Sequence, residues 1–258
     1  MAVLITGASA GLGEGFARGL AADGRDLILT ARREDRLDKL AAELRITQGI
    51  TVTVFAADLA MPGAAEGLVA GITRAGLEID TLINNAGYGA RGAFADLPRD
   101  SQLGQIDLNC RALVALSHAV LPAMIAAKRG AILNVASTAA FQPGPWMAVY
   151  YATKAFVLSF SEALHEEVKP HGIHVSALCP GPTRTEFAEI AGMGDSELFK
   201  RLASPAEVVV KDGLAALKAN QAVRISGAMN SVMANSIRFT PRALARRIAG
   251  SLQKARQG

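Results

Sequence analysis

Tyr150 and Lys154 stand four residues apart in the stretch MAVYYATKAF, a spacing that brings both side chains onto one face of a helix. A phenol held beside an ammonium can pass a proton. The ordinary phenol pKa of about 10 suits neutral pH poorly, so acid or base work requires the phenolate to be stabilised. An ammonium about 4 Å away at an effective dielectric near 20 contributes roughly 4 kcal/mol, or about three pKa units. Such a donor suits the reduction of a carbonyl, whose oxygen needs a proton as hydride reaches the carbon. Tyr151 has Ala155 at the same spacing, so Tyr150 is the candidate and Tyr151 reads as a packing residue. Ser137, ending the run AILNVAS, can hydrogen-bond a substrate oxygen beside the phenol or simply cap a strand end. Asn109, in QIDLNCRAL, is an indifferent helix former; a buried amide holding a water near Lys154 would explain it, and so would a helix irregularity.

A second group of residues points to a dinucleotide. TGASAGLG at 6–13 follows the first apolar run, so Gly7 permits a tight turn, Gly11 lets backbone approach a pyrophosphate, and Gly13 lets a helix pack with its N-terminus aimed at the phosphates. Ser9 and Leu12 belong to the same expected contact surface. In NAD binders an acidic residue about 20 positions on holds the adenosine ribose. Here DLILTARRED places Arg32 and Arg33 after Ala31, and a guanidinium fork suits a 2′-phosphate, which favours NADP(H) over NAD(H). Two solvated arginines opening a helix are the alternative, and Glu34 and Asp35 fit that helix's first turn. Asp58 and Leu59 end a third apolar run, where a carboxylate could accept from the adenine amino group. Asn84 in NNAG could bridge strands, while Asn85, Ala86 and Gly87 are the expected cofactor contacts.

These residues sit at the ends of short β-rich runs near 2–5, 26–31, 50–56, 80–84, 130–135, 173–178 and 222–226, separated by helical patterns. The alternation predicts an α/β doubly wound, seven-stranded parallel sheet with helices on both faces, and ligands at the carboxyl ends of its strands. The 258 residues, half of them hydrophobic, suit one domain: a body over 1–237 with a substrate lid near 185–203, and a basic amphipathic helix over 238–258.

Taken in order, TGASAGLG, Asp58, NNAG, Asn109, Ser137, the Tyr150 to Lys154 pair and CPGPTRT at 179–185 resemble the short-chain dehydrogenase/reductase family over residues 2–227. The resemblance implies Tyr150 as acid/base, Lys154 on the nicotinamide ribose, Ser137 orienting substrate and Asn109 supporting a proton relay. It also implies that Pro180, Gly181, Thr183 and Thr185 border the nicotinamide, and that a homodimer or homotetramer forms through the helices carrying Asn109 and Tyr150. The branch it resembles includes oxoacyl and hydroxysteroid reductases, which implies a ketone, aldehyde or 3-oxoacyl group as substrate. An NAD-linked alcohol dehydrogenase is the rival enzyme, and an NADPH-sensing regulator without turnover the rival from another class.

On the substrate side, Phe141, Trp146, Phe187, Ile190, Met193 and Phe199 are candidates for an apolar pocket, and Arg184 is the one charge near it. Cys110 and Cys179 match neither a disulfide framework nor a zinc site, which fits a reducing cytoplasm and no metal. MAVLITGAS has no basic n-region, so no signal peptide is expected, and the apolar stretch 112–127 falls short of a membrane span. Net charge is +4, yet residues 238–258 hold six basic and no acidic groups, leaving 21 basic against 23 acidic in the rest. That balance excludes a nucleic-acid-binding face and leaves a local role for the tail. There Thr240 and Pro241 read as N-cap and first helical residue. Leu244, Ile248 and Leu252 form a stripe expected to pack on the body or a partner subunit, with membrane-surface contact as the alternative.

Overall fold

The computed structural model describes residues 1–187 and 203–253, with the side chain of Leu252 left aside. Ile190, Met193, Phe199 and most of the expected lid lie outside the described residues. Seven strands, β1 (Ala2–Thr6), β2 (Leu27–Thr30), β3 (Val52–Val54), β4 (Ile79–Asn84), β5 (Gly130–Val135), β6 (Ile173–Cys179) and β7 (Val223–Ile225), form one parallel sheet in the order β3-β2-β1-β4-β5-β6-β7. The chain builds outward from β1 to β3 and then returns to the far side of β1. That reversal opens a crevice at the carboxyl ends of β1 and β4.

Both faces of the sheet are covered, which is why its strands read as continuous apolar runs. Val3, Ile5 and Leu29 pack with Phe16, Leu37 and Val210 on one face. Leu4, Ile28 and Leu82 pack with Ile72, Leu116 and Leu164 on the other. The first set comes from α1 (Gly11–Ala22), α2 (Glu34–Gln48) and a later helix, Ala206–Lys218. The second comes from α3 (Ala64–Arg74), α5 (Leu113–Ala127) and α6 (Ala148–Val168), with α4 (Arg99–Ile106) running into α5. The later helices are α7 (Ala206–Lys218), α8 (Ala228–Ser236) and α9 (Arg242–Gln253). Where α1 crosses α7 the approach is close: a Cβ on Gly15 would stand 2.8 Å from Val210 Cγ2, and one on Gly19 3.1 Å from Leu214 Cδ1.

The apolar stretch at 112–127 belongs to a longer helical run, Arg99–Ala127, of 29 residues with mean hydropathy 1.6 over its most apolar window. By length and composition that run could cross a membrane, contrary to the expectation. Here Leu116, Val120 and Met124 pack against the sheet core.

Candidate active site

The crevice is a cavity of about 970 Å³. At one end the glycine turn closes it. Gly7 has φ of 66°, a left-handed conformation that costs glycine little, and Gly13 leaves no room for a Cβ between the Gly7 carbonyl and Asn85. Helix α1 starts at Gly11 with no side-chain cap, so its leading N–H groups remain for a ligand. Thr6, which the sequence reading did not single out, ties β1 to β4: its Oγ1 donates to the Ile83 carbonyl at 3.2 Å and accepts from the N–H of Asn85 at 3.0 Å and of Ala86 at 2.9 Å. Asn84 takes the bridging alternative, donating to Ser117 Oγ at 3.1 Å and Asn134 Oδ1 at 2.9 Å.

Ser9, Leu12, Arg32, Arg33, Asp58 and Leu59 line this end together with Asn85, Ala86 and Gly87. Arg33 donates to Ser9 Oγ at 3.2 and 3.3 Å, and its Nη1 meets Glu186 Oε2 at 3.0 Å. Arg36 Nη1 reaches the other oxygen of Glu186 at 2.6 Å. The guanidiniums of Arg36 and Arg33 therefore hold the Glu186 carboxyl below the usual range. Nothing in the local sequence pairs residues 153 positions apart, so this contact was not legible. Asp58 Oδ1 accepts from the Ala60 N–H at 3.1 Å, and Glu34 and Asp35 occupy the first turn of α2 as the dipole favours.

At the other end the cleft is lined by Ser137, Tyr150, Lys154, Pro180, Gly181, Thr183, Thr185 and Phe187. Thr185 packs against Gly11, joining the two ends. Lys154 Nζ donates to the Val135 carbonyl at 2.8 Å and lies 5.8 Å from the centre of the Tyr150 ring. The expected lowering of the tyrosine is not what this geometry produces. Burial raises the Tyr150 phenol, with the Ser137 hydroxyl offsetting part of that, and burial lowers Lys154 to about 8. Both groups have lost water, which disfavours the charged form of each.

Asn109 sits in a π-helical turn, Asp107–Ala112, between α4 and α5. Such turns are rare and often mark functional sites. Its amide donates to the Tyr88 carbonyl at 2.9 Å and to Thr153 Oγ1 at 3.0 Å, while Oδ1 accepts from the Tyr88 N–H at 3.1 Å. Both amide protons are used, so only a second lone pair of Oδ1 is left to take a water's proton. The helix irregularity and the buried amide are one feature. No group of three or more His, Cys, Asp or Glu that could hold a metal occurs among the described residues.

The model of the short chain dehydrogenase family matches residues 1–193. This chain belongs to that family. A very-long-chain 3-oxoacyl-CoA reductase of Phaeosphaeria nodorum is 36% identical over 215 residues, covering 75% of this chain and 63% of the relative, so this short-chain dehydrogenase spans less than two thirds of that protein. Sulfoacetaldehyde reductase 2 of Chromohalobacter salexigens is 39% identical over 199 residues, 75% of this chain and 77% of the relative. The solved short-chain dehydrogenase from Sphingobium yanoikuyae in complex with NADPH superposes with a TM-score of 0.84 at 34% identity, covering 100% of this chain and 99% of that one.

The substrate half of this dehydrogenase differs from the sequence expectation. Phe187 lines the cleft with its ring centre 5.6 Å from that of Tyr150, but Phe141 borders a second cavity of about 530 Å³. Trp146, at φ of 71° and 37% exposed, lines neither, because the Gly144–Met147 turn swings it outward. Met147, Met233, Ile237 and Ile248 line the cleft instead. Helix α9 packs over the site through Ala245, Ala249 and Gln253, while Leu244 and Ile248 are about half exposed, at 49% and 48%. The buried stripe is thus offset from Leu244 and Ile248, since close approach over the cleft requires small side chains. Thr240 does not cap this helix; its Oγ1 donates to the Ser236 carbonyl at 3.0 Å.

Proposed function

We propose that this short-chain dehydrogenase is an NADPH-dependent reductase that turns an apolar ketone, aldehyde or 3-oxoacyl group into an alcohol. The observation that carries the reading is one cleft in which the buried phenol of Tyr150 meets Ser137 and Lys154 at one end, while Arg32, Arg33 and an uncapped helix start lie at the other. The residues fit an NADP dinucleotide. The start of α1 would receive the pyrophosphate, Arg32 and Arg33 the 2′-phosphate and Asp58 the adenine amino group, while Pro180, Gly181, Thr183 and Thr185 would border the nicotinamide. When bound, that group supplies the hydride.

The chain's own part is to hold the oxygen and protonate it. Ser137 donates to the carbonyl oxygen and fixes it beside Tyr150. A phenol raised by burial stays protonated until negative charge builds on that oxygen, and then its proton transfers. The buried ammonium of Lys154 stabilises the phenolate left behind. Asn109 ties the backbone of Tyr88 to Thr153, the neighbour of Lys154 on α6. The two relatives share reduction of a carbonyl by name but differ widely in substrate size, and the NADPH of the solved neighbour supports the cofactor. Leu103, Ile106 and Phe156, exposed on α4 and α6, support a homo-oligomer built on those helices.

A panel of carbonyl compounds assayed with NADPH and with NADH by nicotinamide absorbance tests the proposal. Oxidation of NADPH by apolar ketones or aldehydes is the expected outcome. NADPH binding without turnover across the whole panel would point to the sensing alternative.

A further inference from the structure

Tyr151, next to the candidate proton donor, stands between two cavities. Its ring borders both the main cleft and the second cavity of about 530 Å³. Phe141, Pro143, Pro145, Ala148 and Ala152 give that second space apolar walls. The ring is fixed on three sides. It packs edge-on against Tyr150 with centres 6.1 Å apart, and it lies on Gly144, where no Cβ would fit. Its hydroxyl accepts from Gln253 Nε2 at 2.8 Å.

Gln253 is itself held. Its backbone carbonyl accepts from Arg91 Nε at 2.8 Å, and the residue is 3% exposed on a helix where Ala245 and Ala249 are also buried. A buried amide is costly unless it is hydrogen-bonded, and the bond to Tyr151 gives one of its N–H groups a partner.

We propose that Tyr151, held by Gln253, is the partition that sets how long a substrate can lie against Tyr150, with the second cavity as the space it closes off. Tyr151 is then a specificity-determining residue and Gln253 a positioning residue. The inference rests on reading the cleft as the site of carbonyl reduction.

The test uses methyl ketones lengthened one methylene at a time from butanone. Binding to the NADP⁺-saturated enzyme is followed by calorimetry, and turnover is followed with NADPH. In the wild type each methylene should tighten Kd about fourfold until the tail meets Tyr151, after which affinity levels off. In Tyr151→Ala the fourfold steps should continue for about three further methylenes, with the change in kcat/KM carried by KM. Tyr151→Phe and Gln253→Leu, which lose only the hydrogen bond, should extend the series by about one methylene, and they carry the test if the alanine variant does not fold. Levelling at the same length in every variant, or no levelling in the wild type, would overturn the partition. Ketones that bind with the expected levelling but are never reduced overturn the reductase reading and leave the partition standing. Ketones reduced with no shift in any variant do the reverse, and a failure of any ketone to bind overturns both.

Discussion

Burial moves Tyr150 and Lys154 in opposite directions, and each shift has a measurable outcome. Tyr150→Phe removes only the hydroxyl, so NADPH should still bind while reduction falls by at least roughly 10²- to 10⁴-fold, checked by cofactor fluorescence and single-turnover rates. Lys154 has its folded pKa lowered from 10.5 to about 8. Between those values the unfolded chain keeps a proton that the folded chain has lost, so this residue makes stability rise with pH through that window. Lys154→Met should therefore be the more stable protein at pH 7 in the absence of dinucleotide, by an amount of order 3 kcal/mol. The gap should close from about pH 8 upward in urea titrations. A gap that does not change with pH would show that the ammonium is solvated. The phenol–ammonium pair was legible from spacing, but its electrostatics were not, because Phe187 and α9, which close the cleft beside Tyr150, arrive from later parts of the chain.

At the scale of elements, the turn from β2 into α2 decides the dinucleotide. A charge-assisted hydrogen bond contributes about 1.5–3 kcal/mol, so Arg32 and Arg33 should favour NADPH over NADH by roughly 10- to 150-fold in kcat/KM. Ala31→Asp combined with Arg32→Ala should reverse the preference, since the new carboxylate repels a 2′-phosphate and accepts from a free hydroxyl. Ratios measured at matched ionic strength check both, and a wild-type ratio near one would place the selection elsewhere. The strands were readable because a sheet covered on both faces needs uninterrupted apolar runs, whereas their order in the sheet emerges only from the fold. Helix α9 was readable as a helix but not in its facing: Leu244 and Ile248 announce a stripe, whereas Ala245, Ala249 and Gln253 are the residues that pack. Periodicity reports apolar bulk, and a helix laid closely over a cleft is selected for its absence. Glu186 stayed invisible for a different reason, since its partners Arg33 and Arg36 are near it only once the sheet has formed.

For the molecule as a whole, the crossing of α1 and α7 has a consequence in time. Gly15 and Gly19 meet Val210 and Leu214 across almost two hundred residues of chain, and β1, paired with β2 on one edge, waits for β4 on the edge toward the centre. Local helices can form early, but the layer that α1, α2 and α7 build on the sheet cannot close until α7 has been synthesised. At a synthesis rate of about 10 residues per second, that leaves the glycine face of α1 bare for roughly 20 seconds. Contacts of such separation are slow to form and belong late on the folding path. Gly15→Ala, whose Cβ would press on Val210, should cost about 1 kcal/mol net of the helix propensity gained. Because the crossing forms late, that cost should appear as a roughly fivefold faster unfolding rate, with the refolding rate almost unchanged in stopped-flow chevrons. A slowed refolding limb would instead put the α1–α7 crossing in the nucleus. A late-closing crossing makes the nascent chain, rather than the finished enzyme, the form most in need of a chaperone.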